Sequence, residues 1–212
     1  MQKHLTIPIM TGANDLISDS LDQLDERSRI LDAALDVFSR KGYRAVRLEE
    51  IVAEADTSHS AVFFHFPNKE RIFLALVDQL ADLLERRVTD AIEEQSTAMD
   101  RVRVALETCL DTFGRYRRAA KILLVQAVGL GTVFEAKRNQ VTERFAHLIE
   151  GYLQEAIDNG EIDAVDVQVI SLSWMGAIYA LVIRWINTNE PEPQRIIASL
   201  VPALLKSVGY ER

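Results

Sequence analysis

From Ile30 onward, apolar residues recur at intervals of three and four, and nowhere do they alternate every second residue between turn dipeptides. The first spacing lines side chains along one stripe of a helix, while a strand requires a period of two. The chain is therefore predicted to be all-α. Ile30, Leu31, Ala34, Leu35 and Phe38 form the first stripe, and Gly42 stands where a left-handed C-terminal cap belongs. A shorter helix follows with Leu48, Ile51, Val52 and Ala55 on one face and Glu49 and Glu50 in its first turn, where negative charge suits the helix dipole. Asp56 can adopt a turn conformation, and Ser58 is a good N-cap for a third helix over 59–66, which Pro67 stops. Asn68 caps a long fourth helix running from about Lys69 into the nineties. Further helices are expected over 100–114, 115–128, 132–158, about 164–187 and about 193–208. Residues 1–25 show no sustained periodicity and carry Asp15, Asp19, Asp22 and Asp25 against one lysine, which predicts a flexible acidic arm.

The third helix is unusual. At 100° per residue, Val62, His65 and Phe66 share one side of it, with Ala61 at the edge, while His59, Ser60, Phe63 and Phe64 share the other. Val62 and Phe66 can pack on the first two helices. Two phenylalanines are then left facing outward beside small polar groups, a costly arrangement unless something meets them. Two short helices joined by a tight turn, the second presenting such a face, describe a helix-turn-helix. Small side chains allow close approach in a major groove, and aromatic rings can meet a thymine methyl.

Charge tempers this reading without removing it. The net charge is −8, whereas DNA-binding domains are often basic. Within 26–70, however, seven basic residues face eight acidic ones, so most of the acidity lies elsewhere. Cys109 is the single cysteine, which excludes an internal disulfide and a Cys-rich metal site, so no metal and no cofactor are expected. Apolar runs such as 122–131 fall short of the ~20 residues that span a bilayer. A cytoplasmic protein without membrane contact is the expectation.

Residues 30–76, through the stretches IVAEA and SHSAVFFHFPNKE, closely resemble the N-terminal domain of TetR-family transcriptional repressors. The resemblance implies an arm over 1–25, a DNA-binding domain over 26–70 with its helix-turn-helix at about 47–66, and a helical ligand-binding and dimerisation domain over 71–212. It implies that Ser58, His59, Ser60 and Phe64 approach bases or adjoining phosphates. Phe63, His65 and Lys69 would contact the sugar-phosphate backbone, with Tyr43 and Arg47 flanking it. Three departures stand out. Phe63 replaces the usual tyrosine, Asp56 the usual turn glycine, and Arg47 the small hydroxyl residue that commonly caps the second helix.

The implied function is that of a ligand-released repressor binding a near-palindromic double-stranded operator as a homodimer. An all-α adaptor that kept the fold and lost DNA binding is the alternative. An enzyme has least support, since no nucleophile elbow, paired metal-spaced histidines or P-loop is present. The candidate cavity walls are Phe113, Gln126, Phe134, Trp174 and Tyr179, which suit a small hydrophobic or amphiphilic effector that would shift the fourth helix. Gly176, Ala177 and Ala180 offer close helix approach for a dimer interface built from the last two long helices.

Overall fold

The computed structural model describes residues 13–126 and 129–211, with side chains described from Asp25 onward. Nine α-helices and no strand occur among the described residues. α1 (Ala13–Lys41), α2 (Leu48–Glu54) and α3 (His59–His65) form the N-terminal unit. Its core is the predicted stripe: Ile30, Leu31, Ala34 and Phe38 of α1 are buried with Ile51, Val52, Val62 and Phe66. Gly42 takes φ +81° and returns its N–H to the Phe38 carbonyl at 2.8 Å, ending α1 in the left-handed cap. Two ion pairs staple α1 to α2, Arg40 to Glu54 at 2.6 Å and Lys41 to Glu50 at 2.7 Å.

One expectation needs correction here. Of the arm expected over 1–25, residues 1–12 lie outside the described residues, but 13–25 are the opening turns of α1 rather than an irregular segment. Ile17, Leu21 and Leu24 recur there at intervals of four and three, which carries the helical spacing back before Ile30.

α4 (Lys69–Ile92) begins at the cap Asn68, whose side chain accepts the Arg71 N–H, and leads into the larger helical part. There α5 (Ala98–Arg115), α6 (Arg117–Lys121), α7 (Thr132–Asp158), α8 (Val167–Thr188) and α9 (Pro193–Ser207) pack around a continuous apolar core. α5 runs on through Gly114, where a Cβ would sit 3.0 Å from the Pro193 ring; the glycine lets α9 cross closely. The single helix expected over 115–128 is instead the short α6 followed at once by a π-helical segment, Ile122–Gln126.

α7 stops where Asn159 and Gly160 predict, with Gly160 at φ +70°. By length and composition alone α8, Val167–Thr188, is apolar enough to cross a bilayer, a test that a core helix of a helical bundle also passes. One face of α8 buries Trp174, Ile178, Val182 and Trp185 in the bundle. Its other face exposes Val169, Leu172, Gly176 and Ala180.

Candidate nucleic-acid interface and effector cavity

α3 is held by its ends and by one face. The Ser58 hydroxyl accepts the Ala61 N–H at 3.1 Å and pairs with the Ser60 hydroxyl at 2.8 Å, while Phe66 closes the helix onto the Val62 carbonyl at 2.8 Å. Val62 and Phe66 point into the core. His59, Ser60, Phe63 and Phe64 point out, and the two rings are 52% and 69% exposed. Asp56, in the turn before α3, has φ +47°, a left-handed conformation that costs a residue with a side chain some strain. Arg47 is exposed at the start of α2, where its own N–H is bonded by Glu50 at 3.3 Å. An aromatic and hydroxyl-bearing ridge thus stands proud of the domain.

Three residues expected at the DNA backbone are turned inward. The Lys69 ammonium donates to the Tyr43 and Val46 carbonyls at 2.9 and 2.7 Å and lies 4.6 Å from the centre of the Tyr43 ring. Burial lowers its pKa. Tyr43 itself packs edge-on against Phe73 and Phe134, with centroids 5.1 and 5.0 Å away, and burial raises the pKa of its phenol. The His65 side chain is 7% exposed and sits 3.3 Å from the Glu26 carboxylate. That carboxylate also accepts from Thr57 at 2.7 Å, the bond that does most to lower its pKa. These groups fix the angle of α3 and of the α1–α2 loop.

Between α4, α5, α7 and α8 lies a cavity of about 110 Å³. Phe113 and Tyr179 line it as expected. Gln126, Phe134 and Trp174 do not. The π-helical turn adds a residue to the helical repeat and swings Gln126 toward α1, where its amide donates to the Phe38 carbonyl at 2.9 Å. Phe134 joins the Tyr43–Phe73 cluster between the N-terminal unit and α7. The Trp174 indole N–H needs an acceptor and finds Ser207 of α9 at 3.2 Å, which aims the ring away from the cavity. Of the expected dimer residues, Gly176 and Ala180 are exposed and Ala177 half-buried; nothing lies within 4 Å of a Cβ built on Gly176.

Residues 30–76 match the family model "Bacterial regulatory proteins, tetR family". The chain carries the DNA-binding domain of the TetR family. The similarity continues beyond that domain. The "Fatty acid metabolism regulator protein" of Bacillus subtilis (strain 168) is 22% identical over 180 residues, covering 84% of this chain and 93% of the relative. The FadR regulator of Bacillus subtilis solved with stearoyl-CoA superposes with a TM-score of 0.77 at 22% identity, over 87% of this chain and 99% of that one. AibR, solved with isovaleryl coenzyme A and operator DNA, gives 0.69 at 20% identity, over 84% and 97%. Over the 84–87% of this chain that they cover, these superpositions show the same fold as those regulators.

Three cavity features were not legible in the sequence. Arg138 is the charged side chain on an otherwise apolar wall, and no local pattern sets it apart from its neighbours on α7. Cys109, the single cysteine, borders the space, and burial pushes its thiol up to about 12. A thiol so protonated is a poor nucleophile near neutrality. Leu123 and Leu124 of the π-helical segment form part of the wall, so the segment joins the cavity to Gln126 and hence to α1. Among the described residues no cluster of three His, Cys, Asp or Glu side chains is arranged to hold a metal.

Proposed function

We propose that this TetR-family protein is a transcriptional repressor that binds a near-palindromic operator as a homodimer in the cytoplasm and is released by an acyl compound. The observation that carries the reading is the exposure of Phe63 and Phe64 beside His59 and Ser60, on a helix whose opposite face buries Val62 and Phe66 in the core. A surface of two bare aromatic rings costs solvation unless a partner covers it, and the width of α3 suits a major groove. Arg47 and the hydroxyls of Ser58 and Ser60 supply phosphate contacts around it. The homodimer is supported by α8, whose second apolar face, from Val169 to Ala180, has no cover among the described residues.

The cavity supports the effector. It is close in size to the engineered apolar cavity of ~150 Å³ that admits benzene, so a longer acyl chain enters only if its walls part. Occupancy and helix displacement are then one event. The relatives solved with acyl-coenzyme A ligands favour this class of compound.

Selection of operators from random DNA, followed by anisotropy titration, tests the proposal. Paired half-sites about one helical turn (~34 Å) apart are expected, bound more weakly once decanoyl-CoA is added. Arg47→Ala should weaken binding evenly across sequences and reduce the salt slope by about one unit, whereas Phe64→Ala should change which bases are preferred. Failure to enrich any sequence would sink the reading.

A further inference from the structure

Arg138 is the charged residue on the cavity wall, and its bonds lead out of the cavity. Its Nε and Nη2 both donate to one oxygen of Glu135, at 3.1 and 2.8 Å. The other oxygen of Glu135 accepts the Gly129 N–H at 2.9 Å. The Gly129 carbonyl in turn accepts from Arg44 Nη2 at 2.9 Å. Arg44 belongs to the loop between α1 and α2, three residues before Arg47. One unbroken line of hydrogen bonds therefore runs from the cavity to the DNA-reading unit. The Glu135 carboxyl is held below the usual range, first by the Gly129 amide and then by Arg138, so it carries full charge near neutrality.

Besides Arg138, the wall carries one other hydrogen-bonding side chain of note, that of Tyr179. Its hydroxyl pairs with Thr142 at 3.2 Å, and burial raises its pKa, opposed by the Thr142 bond and, least, by the Arg138 charge. Most of the remaining lining is aliphatic or aromatic. A guanidinium has five donors in a planar fork that suits two oxygens at once. Here two donors converge on a single Glu135 oxygen, and Nη1 has no hydrogen-bond partner among the described residues. The arrangement is half-used.

We infer that the cavity selects an anionic amphiphile, an acyl chain ending in a carboxylate or phosphate, whose charged group draws Arg138 away from Glu135 and so disturbs the Gly129–Arg44 link to the reading unit. The inference rests on the effector-released reading above. An incoming anion offers Arg138 a two-oxygen partner, and it also brings a like charge up to Glu135. Both effects act on the carboxylate that holds the Gly129 amide. A neutral chain of equal length would fill the same space and leave this line intact.

The test uses the full-length protein and three probes: decanoate, decan-1-ol and decanoyl-CoA. Calorimetry gives their affinities, and operator affinity is measured with and without each. Wild type should bind decanoate at least about tenfold more tightly than decan-1-ol, and only the anionic probes should release DNA. Tighter binding of decanoyl-CoA than of decanoate would assign the anion to a phosphate-bearing head, and the reverse to a free carboxylate; both support the inference.

Arg138→Gln should bring decanoate down to the level of the alcohol, with alcohol binding and melting temperature unchanged, and Arg138→Lys should restore part of the preference. Arg44→Gln should leave decanoate affinity intact, while the ratio of operator affinities with and without it moves toward one; taking the ratio removes any direct contact of Arg44 with DNA. Equal binding and equal release by the alcohol would overturn the inference while leaving the repressor reading standing. No binding by any probe would overturn the inference together with release by an acyl compound, while operator binding is decided by the selection experiment.

Discussion

Asp56 and Lys69 show how single residues set the reading unit. Asp56 holds φ +47° where a glycine would be unstrained. Asp56→Gly should raise the stability of the free protein by about 0.5–1 kcal/mol, since relief of left-handed strain is partly offset by the freer unfolded chain. It also removes a carboxylate from the turn leading into α3, so operator affinity should rise at low salt. A lowered melting temperature would mean that the aspartate side chain is doing something a glycine cannot replace.

Lys69 is the opposite case, a cation expected at a phosphate and found holding two carbonyls. Lys69→Met should lower stability by about 1.5–3 kcal/mol, because the Tyr43 and Val46 carbonyls lose charge-assisted donors. Thermal melting without DNA is the measurement. An unchanged melting temperature with weakened operator binding would return the lysine to the phosphate.

At the level of elements, the ends of the helices were legible in the sequence and their mutual packing was not. Gly42, Ser58, Asn68 and the Asn159–Gly160 pair act on backbone groups a few residues away, so a short window of sequence contains both partners. The two faces of α3 were readable for the same reason. The cavity was not, because a π-helical turn rotates Gln126 off the expected face and because Arg138 gains its role from helices far away in sequence.

The start of α5 is another long-range contact. Thr97 bonds the Asp100 N–H, and Glu161 accepts the Ala98 and Met99 N–H groups at 3.0 and 2.9 Å, so the free amides of that turn are all met from outside the helix. Burial alone would raise the Glu161 pKa, but the Met99 and Ala98 amides and Asn159 together outweigh it and the net shift is downward. A depressed folded pKa contributes stability that is present above the unfolded value and lost as pH falls through the folded one. Glu161→Gln should therefore cost about 1 kcal/mol at pH 7 and flatten the loss of stability below pH 5, as followed by denaturant titration at several pH values. Parallel pH profiles for the two proteins would show that Glu161 does not govern this end of α5.

For the whole molecule, assembly turns on the exposed face of α8. A Cβ built on Gly176 meets no described residue within 4 Å, so Gly176→Leu should leave the helical content intact while holding two copies apart. Sedimentation should then show monomers, with operator affinity falling at least about a hundredfold as paired recognition is lost. A dimeric variant would move the interface elsewhere on the molecule. The length of α4 then decides how far a small event can travel. Its 24 residues make a rod of about 35 Å, bordering the cavity at Val77, Leu84 and Val88 and fastened by Lys69 to the loop that carries Arg44 and Arg47. Pivoting near Val88, a tilt of ~5° would swing the Lys69 end by roughly 2–3 Å. In a symmetric pair the two swings add to about 5 Å, more than the ~3.4 Å between successive base pairs. Such a lever needs only a slight opening at the cavity to put both reading units out of step with the groove.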